Sequence, residues 1–476
     1  PYLGFLKLTA YPLHIVRKAA SVSWIYLSNV DPGFSTTVYL IARLSSVLCA
    51  VFAVYLAYLL ARKCFSENSG VFTALALSVT MGFISEAHQA KSSAFLALMV
   101  IAVVLSCSYY YDKRTPLKYI IPFILGGFAL AAKYNGGIVI FPLAYYLFIV
   151  TKDRPLLKAL APASFLAGFL AGFPAIILKS SYYFARMANY QERYLPASTG
   201  NLLSFFIPGA AGYGIVLKDA FGIGLFLVIL SGMLISLKRL KNNVPLKLVF
   251  LIIAPYFIFF SINPKTFEIK YISLIIPFLV VAASGAAEWA SGLKSFYRYI
   301  ILSSLTVIWV ISFIYTVECD SIYAGKDIRY AATAWIRDNI GQDRRIVIPG
   351  HPEWVVHNDI FKDHDISIIN NEPGGFNQKY NKRFVGGRQF LLSREDVGRI
   401  AKTLEGEHDY YIVYPVNSVP DRFDFLKINE VANNSGIGLA GQKKVIEFSR
   451  GKYSFWWRPK IDGYEPRRII ITCGRL

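Results

Sequence analysis

The segment from Ser85 to Ser93 holds the side chains best suited to chemistry in this sequence. It contains Glu86, His88 and Lys91 between two apolar runs of helical length. A charged side chain at the centre of a bilayer costs roughly 2.5–3.5 kcal/mol, so these groups must lie at the membrane surface or line a polar cavity. Either location makes the segment a candidate site.

Two further polar groups end other apolar runs. They are Lys133 with Tyr134, and Lys270 with its neighbours Lys265, Glu268 and Tyr271. Cations at the depth of lipid headgroups suit a lipid phosphate, and a carboxylate set deeper could accept a proton from a hydroxyl or bind a divalent metal. The simpler interpretation is that each lysine extends to the interface or pairs with lipid phosphate. We expect at least one of these lysines to bind a substrate phosphate.

The elements that must position these groups are membrane helices. Of the 476 residues, 55% are hydrophobic and 17% are charged, which excludes an ordinary soluble core for most of the chain. A segment of about 20 apolar residues crosses the hydrocarbon core as a helix. The apolar runs predict about ten spans, near residues 37–61, 69–85, 93–111, 117–132, 136–150, 156–178, 219–237, 246–262, 268–288 and 298–317.

The net charge of +20 reflects topology rather than a nucleic-acid partner. Short connections on one side contain Arg62, Lys63, Lys113, Arg114, Lys118, Lys152, Arg154, Lys158, Lys238, Arg239, Lys241, Lys247, Lys294 and Arg298. Short connections on the other side contain Lys91, Lys133, Lys265 and Lys270. The positive-inside rule therefore predicts that the first set faces the cytoplasm and that the candidate site faces outward.

The same topology divides the chain. Residues 1–36 are amphipathic and lie outside, either as a helix on the membrane surface or as part of a long outer loop. Residues 37–317 form the transmembrane domain. Because the first span enters from outside with no signal sequence or helix before it, we expect an N-terminally truncated fragment that lacks at least one helix.

Two outward regions follow from this division. An outer loop over about 180–218 contains several tyrosines and Arg186, which either contribute to substrate binding or anchor the loop at the interface. Residues 318–476 are richer in charge and predict a small α/β domain outside the cytoplasm. Its expected elements are helices over 327–340 and from Ser393 to Leu404, and strands over 344–348, 409–414, 443–448 and 468–472.

The five cysteines are too few and too scattered for a metal cluster or a disulfide framework. Cys49, Cys64 and Cys107 fall in or beside spans, where they serve as small apolar side chains. Cys319 and Cys473 both fall on the predicted outer side. A disulfide between them is one alternative and two free thiols are the other, because sequence does not set their Cα spacing.

The order of several motifs resembles that of the GT-C glycosyltransferases, and most closely the protein mannosyltransferases and aminoarabinose transferases. The motifs are Pro1-Tyr2-Leu3, Arg43 at the start of a span, the polar segment Glu86–Lys91, the stretch Gly126–Gly137 and the stretch Glu268–Pro277. The resemblance implies a mainly α, polytopic membrane fold followed by an extracytoplasmic α/β domain. It implies transfer of a sugar, with inversion, from a polyprenyl-phosphate donor to a protein, lipid or glycan acceptor at the outer face of a bacterial inner membrane.

The resemblance also implies roles for individual residues. Members of this group carry the main catalytic Asp in the first outer loop, just after the first span. We expect that Asp to precede residue 1 of this chain and residues 1–36 to be a fragment of the same loop. Glu86 is then a second catalytic acid or, with His88, a ligand of a divalent metal, the one cofactor expected. The alternative is that Glu86 caps a helix or pairs with Lys91. Ser92 and Ser93 stand where the family often has an Asp. The implied substrate-binding residues are Lys91, Lys133, Tyr134, Arg186 and Lys270.

Two other classes of protein compete with the enzyme. A transporter or flippase of lipid-linked saccharides would also have many spans and outward cations, and Gly126-Gly127 and Gly136-Gly137 could break helices as transporters do. No second half of the sequence mirrors the first, however, and a large outward domain suits an enzyme with an external acceptor. A receptor or scaffold would leave the ionisable segments unexplained.

Overall fold

The computed structural model divides the chain into two units. The first comprises residues 1–319 and 457–462, and the second comprises 320–456 and 463–476. The structure describes residues 32–89, 91–151, 155–174, 176, 181, 202–262, 269–324 and 328–340 together with six strands given below. Outside the described residues lie the predictions on residues 1–31, Arg186, Lys265, Glu268 and the helix expected from Ser393, as well as the side chains of Cys319 and Cys473.

The first unit consists of helices. They are α1 (Pro32–Cys64), α2 (Glu67–Ser78), α3 (Met81–Ala87), α4 (Ser93–Tyr110), α5 (Leu117–Ala132), α6 (Ile140–Tyr145), α7 (Pro155–Lys158), α8 (Leu160–Gly172), α9 (Leu202–Phe221), α10 (Ile223–Leu237), α11 (Val244–Ser261), α12 (Ile269–Ile272), α13 (Ile276–Ala283), α14 (Gly285–Ser291) and α15 (Ser295–Ala324). Short 3-10 segments cover Tyr134–Val139, Leu240–Asn242 and Ser273–Ile275, and a π-helical turn covers Tyr146–Val150. Helices satisfy their backbone hydrogen bonds internally, as a lipid environment requires.

Five of the described helical segments are long and apolar enough to cross a membrane, and two bent pairs raise the number to seven if each pair is one span. The five are Leu40–Cys64, Ser93–Tyr110, Val244–Ser261, Ile269–Ser291 and Ser295–Val317. Three shorter apolar helices coincide with other predicted spans: Leu117–Ala132, Tyr134–Val150 and Leu160–Gly172. The prediction of a mainly α integral membrane protein is confirmed, whereas the count of ten spans and their orientation stay predictions.

The segment Ile269–Ser291 forms the centre of this unit. It is 83% buried over its most apolar window, and every residue of α13 is buried. The last span, Ser295–Val317, is only 6% buried over the corresponding window. Lys270 lies on α12, at the start of this central segment.

Two bends interrupt the helices, and the sequence analysis predicted neither of them. The run predicted as 69–85 bends by 64° between α2 and α3. The second bend, of 116° between α9 and α10, occurs at Gly222, whose φ of 72° lies in the left-handed region that favours glycine. The outer loop predicted over 180–218 also needs correction, because α9 already begins at Leu202. An apolar run records composition but not backbone dihedrals, so neither bend leaves a signal in hydropathy.

Helices α5 and α8 pack with their backbones in contact. A Cβ atom added at Gly127 would overlap the carbonyl oxygen of Phe165, and one added at Gly168 would overlap the carbonyl oxygen of Ile124. Small residues permit this approach, which is the usual basis of helix association in membranes. This contact fixes α5, whose carboxyl end leads into Lys133.

Elsewhere in the first unit, Cys49, Cys64 and Cys107 are buried free thiols, as expected from their apolar surroundings.

The second unit contains α16 (Ile328–Asn339) and a six-stranded sheet of order β3-β2-β1-β4-β6-β5. The strands are β1 (Arg345–Pro349), β2 (Ile366–Ile369), β3 (Leu391–Leu392), β4 (Asp409–Val416), β5 (Lys443–Ser449) and β6 (Arg468–Arg475).

Within this sheet, β1 to β4 pair in parallel, and β6 is antiparallel to both β4 and β5. Four strands coincide with predicted ones, while β2 and β3 were not predicted because they are only four and two residues long. A complete α/β domain over 318–476 stays a prediction, since much of that region lies outside the described residues.

The glycine contact between α5 and α8 yields a stability prediction. Replacing Gly127 by Ala should lower the thermal stability of the purified protein, because the new methyl group must push two backbones apart at a cost of about 1–3 kcal/mol. Gly214 is the matched control, since nothing lies within 4 Å of a Cβ atom there. Gly214→Ala should leave the melting temperature unchanged or raise it slightly. Equal melting temperatures for both variants would contradict the close packing.

Candidate functional site

Glu86 is the most unusual side chain of the first unit. It lies in the last turn of α3 and exposes only 3% of its surface. Its Oε2 atom is buried and has no hydrogen-bond partner within the described part of the chain. Such an atom costs about 1–3 kcal/mol, and more when charged. The carboxyl end of a helix, where the dipole is negative, makes the position still less favourable for a carboxylate.

Close contacts hold α3 in this position. A Cβ atom at Gly82 would lie 2.6 Å from the Cβ of Ala220 on α9 and 3.0 Å from the Cδ1 of Ile269 on α12. Glycine thus lets α3 approach both neighbours, and Glu86 follows one turn later on the same helix. The bend after α2 and this close approach together bring α3 against α12, the helix that carries Lys270.

The start of α1 holds the chain that follows α3. The Nε atom of Arg43 donates a hydrogen bond of 2.8 Å to the His88 carbonyl oxygen, where its charge complements the helix dipole. The Ser46 hydroxyl donates one of 3.2 Å to the Lys91 carbonyl oxygen. The Lys91 ammonium group donates to the side-chain oxygen of Gln89. His88 and Lys91 are thus beside Glu86 in the chain, but the Glu86 Oε2 atom receives no bond from Lys91.

Lys133 occupies a tight turn between α5 and the 3-10 segment Tyr134–Val139. Its backbone is extended, with φ −164° and ψ 146°, and its carbonyl oxygen accepts a hydrogen bond of 2.8 Å from the Gly136 amide. A Cβ atom at Gly136 would overlap the carbonyl oxygen of Ala129, so the turn requires glycine there. The Gly-rich sequence after Lys133 therefore builds the turn that aims this side chain.

Electrostatics links three of the predicted residues. Burial lowers the pKa of Lys133, the Glu86 carboxylate acts in the opposite direction, and the charge of Lys270 lowers the pKa further. Lys133 lies in the connection between two helical segments, outside both. Because the charges of Glu86 and Lys270 both act on the Lys133 ammonium group, the three residues lie in one neighbourhood.

The other predicted residues divide into three groups. Tyr134, which follows Lys133, is 57% exposed and interacts electrostatically with Tyr256 on α11. The Lys270 ammonium nitrogen lies 5.0 Å from the centre of the Tyr271 ring, within the range of a weak cation–π contact. Arg186 lies outside the described residues. The roles predicted for all of these residues stay predictions.

Sequence reasoning missed Tyr256. This residue, 3% exposed near the carboxyl end of α11, accepts a hydrogen bond of 3.1 Å from the Asn135 amide group. Its own hydroxyl donates one of 2.7 Å to the Tyr271 carbonyl oxygen. Nothing in the apolar run Val244–Ser261 distinguishes this tyrosine from an anchoring one, so only the folded chain identifies it.

A metal site is not complete within the described residues. No group of three or more His, Cys, Asp or Glu side chains lies close enough there to hold a metal ion. Calcium takes six to eight oxygen ligands, and magnesium takes six. The prediction that Glu86 and His88 bind a divalent metal therefore needs ligands beyond the described part of the chain, and it stays a prediction.

Comparison with known proteins gives one family match. Residues 35–178 match the family model described as Dolichyl-phosphate-mannose-protein mannosyltransferase. The resemblance to protein mannosyltransferases inferred from the motifs is thereby confirmed over this part of the chain, which contains Glu86 and Lys133. No curated protein sequence matches the chain significantly.

Several solved structures are similar to this one. ArnT from Cupriavidus metallidurans in the apo state has 15% sequence identity and a TM-score of 0.47, covering 91% of this chain and 83% of that one. The same protein bound to undecaprenyl phosphate gives 14% identity, the same TM-score, and 91% and 84% coverage. The Archaeoglobus fulgidus oligosaccharyltransferase in the apo form gives 15% identity, a TM-score of 0.44, and 79% and 59% coverage.

The shared electrostatics of the three charges can be measured at Lys133. Glu86→Gln removes the charge that raises its pKa, so the pKa should fall further, whereas Lys270→Met should raise it. Competitive labelling with an amine-reactive reagent over a series of pH values, read at the Lys133 peptide by mass spectrometry, measures both shifts. Lys113→Met, just after the carboxyl end of α4, is the control and should leave the labelling profile of Lys133 unchanged. Shifts of the same sign in both test variants would contradict the arrangement.

Proposed function

We propose that this protein is a membrane glycosyltransferase that transfers a sugar from a polyprenyl-phosphate donor to an acceptor on the outer face of the membrane. The observation that carries the proposal is that the buried Glu86 carboxylate and the charge of Lys270 both act on the ammonium group of Lys133, at the ends of apolar helices. The match of residues 35–178 to a family named for dolichyl-phosphate-mannose supports the same class of donor.

The two lysines suit a phosphate because they repel each other without one. The charge of Lys270 opposes protonation of Lys133, as expected for like charges held close together in a partly desolvated site. An anionic phosphate between them removes this repulsion and gains hydrogen bonds to ionised donors, which are stronger than bonds between neutral groups. The position of both residues beside apolar spans suits a phosphate that is attached to an isoprenoid chain.

The proposed reaction uses the same charges at the leaving group. An acceptor oxygen attacks the anomeric carbon while the bond from that carbon to the phosphate oxygen breaks. The electron pair of the broken bond stays on the polyprenyl phosphate, where Lys133 and Lys270 stabilise the negative charge that develops. Attack from the side opposite the leaving group inverts the anomeric centre.

Glu86 is proposed to accept the proton of the attacking hydroxyl. Its Oε2 atom is buried and accepts no hydrogen bond within the described residues. In the proposed complex, the hydroxyl group of the acceptor donates a hydrogen bond to this atom. The alternative use of this atom is as a ligand, with His88, of a divalent metal that would polarise the acceptor or the phosphate. Lys91, Tyr134 and Arg186 are proposed as further substrate contacts.

The location follows from the charge of the connections. If the basic connections face the cytoplasm, Glu86, Lys133 and Lys270 face outward and the region 318–476 lies outside the cytoplasm, as in a bacterial inner membrane. The acceptor, whether protein, lipid or glycan, is then reached from that side.

The assay for this function is release of free polyprenyl phosphate from a donor with a radiolabelled sugar. A transporter or flippase of lipid-linked saccharides, the competing proposal, moves the intact donor across the membrane and releases no polyprenyl phosphate. Transfer of label to an acceptor together with release of the lipid phosphate would support the enzyme. Transmembrane movement of the donor without release would support the transporter instead.

Lys133→Met tests the phosphate contact. Loss of one hydrogen bond to a charged group should lower the transfer rate about 10- to 100-fold, corresponding to roughly 1.5–3 kcal/mol. The amount of folded protein, measured by size-exclusion chromatography, should change far less. Lys113→Met is the control, because this lysine is exposed and contacts the Tyr109 ring at the far end of α4. Unchanged turnover in Lys133→Met would remove this residue from the site.

Glu86→Gln tests the proposed base. The substitution keeps the shape of the side chain but removes its basicity, so kcat should fall about 10²- to 10⁴-fold. Binding of the donor should stay the same or tighten, since a negative charge near the phosphate is removed. Steady-state kinetics that separate kcat from KM measure the two effects. A variant with the kcat of the unmodified protein would reduce Glu86 to a structural role.

A further inference from the structure

We propose that Tyr256 is a positioning residue whose hydroxyl joins the two turns that carry Lys133 and Lys270. The Asn135 amide donates to this hydroxyl at 3.1 Å, and the hydroxyl donates to the Tyr271 carbonyl oxygen at 2.7 Å. Asn135 lies two residues after Lys133, and Tyr271 directly follows Lys270. One oxygen atom therefore connects two segments that are more than a hundred residues apart in the chain. What the lysines bind rests on the proposed function, whereas the connection itself does not.

The bonding capacity of a phenol fits this role. A tyrosine hydroxyl has one proton to donate and lone pairs to accept, and here it does both in a chain of two hydrogen bonds. Hydrogen bonds linked in this way strengthen each other where water is excluded. A phenylalanine at this position would remove the partner of two partly buried polar groups, one on each turn.

The Tyr271 carbonyl oxygen lies where a helix is interrupted, so it is available to accept the hydrogen bond from Tyr256. Tyr271 belongs to α12, which has only four residues before the chain changes to the 3-10 segment Ser273–Ile275. Carbonyl groups at helix ends lack partners within the helix and need others. Tyr256 supplies such a partner, and this contact fixes the residue that follows Lys270.

The ring of Tyr256 is itself held in place. Its centroid lies 4.7 Å from that of Phe260 one turn later, and the Phe260 ring contacts both Tyr213 of α9 and Tyr271, each with centroids 5.9 Å apart. Helix α11 is anchored deeper in the unit by residues without exposed surface, including Leu248 and Ile252. The hydroxyl therefore has a fixed position relative to the core.

This restraint has a consequence for the charges. Lys133 and Lys270 act on each other as like charges, which favours separation of the two turns. The bonds through Tyr256 oppose that separation and keep both ammonium groups near one point before a ligand arrives. A site held ready in this way avoids the ordering cost of binding. We therefore expect Tyr256 to affect affinity for the anion more than the rate of the chemical step.

Tyr256→Phe tests the proposal in the full chain, because it removes the oxygen and keeps the ring contacts. Two measurements are made: hydrogen–deuterium exchange of the backbone over 133–137 and 269–273, and the Kd for undecaprenyl phosphate as the probe. Exchange should rise about tenfold in both segments, and the Kd should rise by a similar factor. In a transfer assay, KM for the donor should rise with little change in kcat.

Two further variants make the test specific. Tyr55→Phe, on an exposed face of α1, removes a hydroxyl away from the site and should change neither measurement. Asn135→Ala should reproduce part of the effect, and the double variant with Tyr256→Phe should lose no more affinity than Tyr256→Phe alone, because both substitutions break one chain of bonds. Additive losses would overturn the shared chain.

The outcomes separate this proposal from the proposed function. Unchanged exchange in Tyr256→Phe overturns the connection, and raised exchange with unchanged Kd overturns its role in positioning the lysines. If the unmodified protein neither binds undecaprenyl phosphate nor transfers sugar, the proposed function fails. The exchange data then still decide whether Tyr256 joins the two turns.

Discussion

The rest of this site depends on the balance of charge at Lys133, on which a buried carboxylate and a second lysine act in opposite directions. Glu86 is almost wholly inaccessible, and its Oε2 atom has no hydrogen-bond partner within the described residues. A buried polar atom without a hydrogen bond is unfavourable. The Glu86 carboxylate and the charge of Lys270 act in opposite directions on the protonation of Lys133. An anionic ligand beside Lys133, as proposed above, would reduce the repulsion between the two lysines.

Features of the backbone bring these three groups together. The bend of 64° after α2 makes α3 a separate short helix, and Gly82 allows it to approach α9 and α12. Gly136 permits the turn that aims Lys133, while Tyr256 joins this turn to the one that carries Lys270. The bend, the two glycines and the tyrosine lie in different parts of the chain. The site therefore depends on the fold of the whole first unit and not on one motif.

The sequence predicted the charged residues but not the geometry that unites them. Ionisable side chains between apolar runs are informative because lipid tolerates them poorly, so Glu86, Lys133 and Lys270 could be identified from composition alone. The bends between α2 and α3 and at Gly222 could not be predicted, because hydropathy does not depend on backbone dihedrals. Tyr256 could not either, since a tyrosine in an apolar span usually serves packing or anchoring. Strands of five to eight residues were predicted, whereas β2 and β3, with four and two residues, were too short to leave a pattern.

The length of α1 relates the site to the predicted topology. Arg43 bonds to the His88 carbonyl oxygen at the site, and Lys63 lies twenty residues later on the same helix. At 1.5 Å per residue this separation is about 30 Å, the thickness of the hydrocarbon core. The site and the first basic connection must therefore lie at opposite ends of one span. If the positive-inside rule holds for this connection, the site lies at the end of α1 away from the cytoplasm, which is the side on which the proposed transfer would take place.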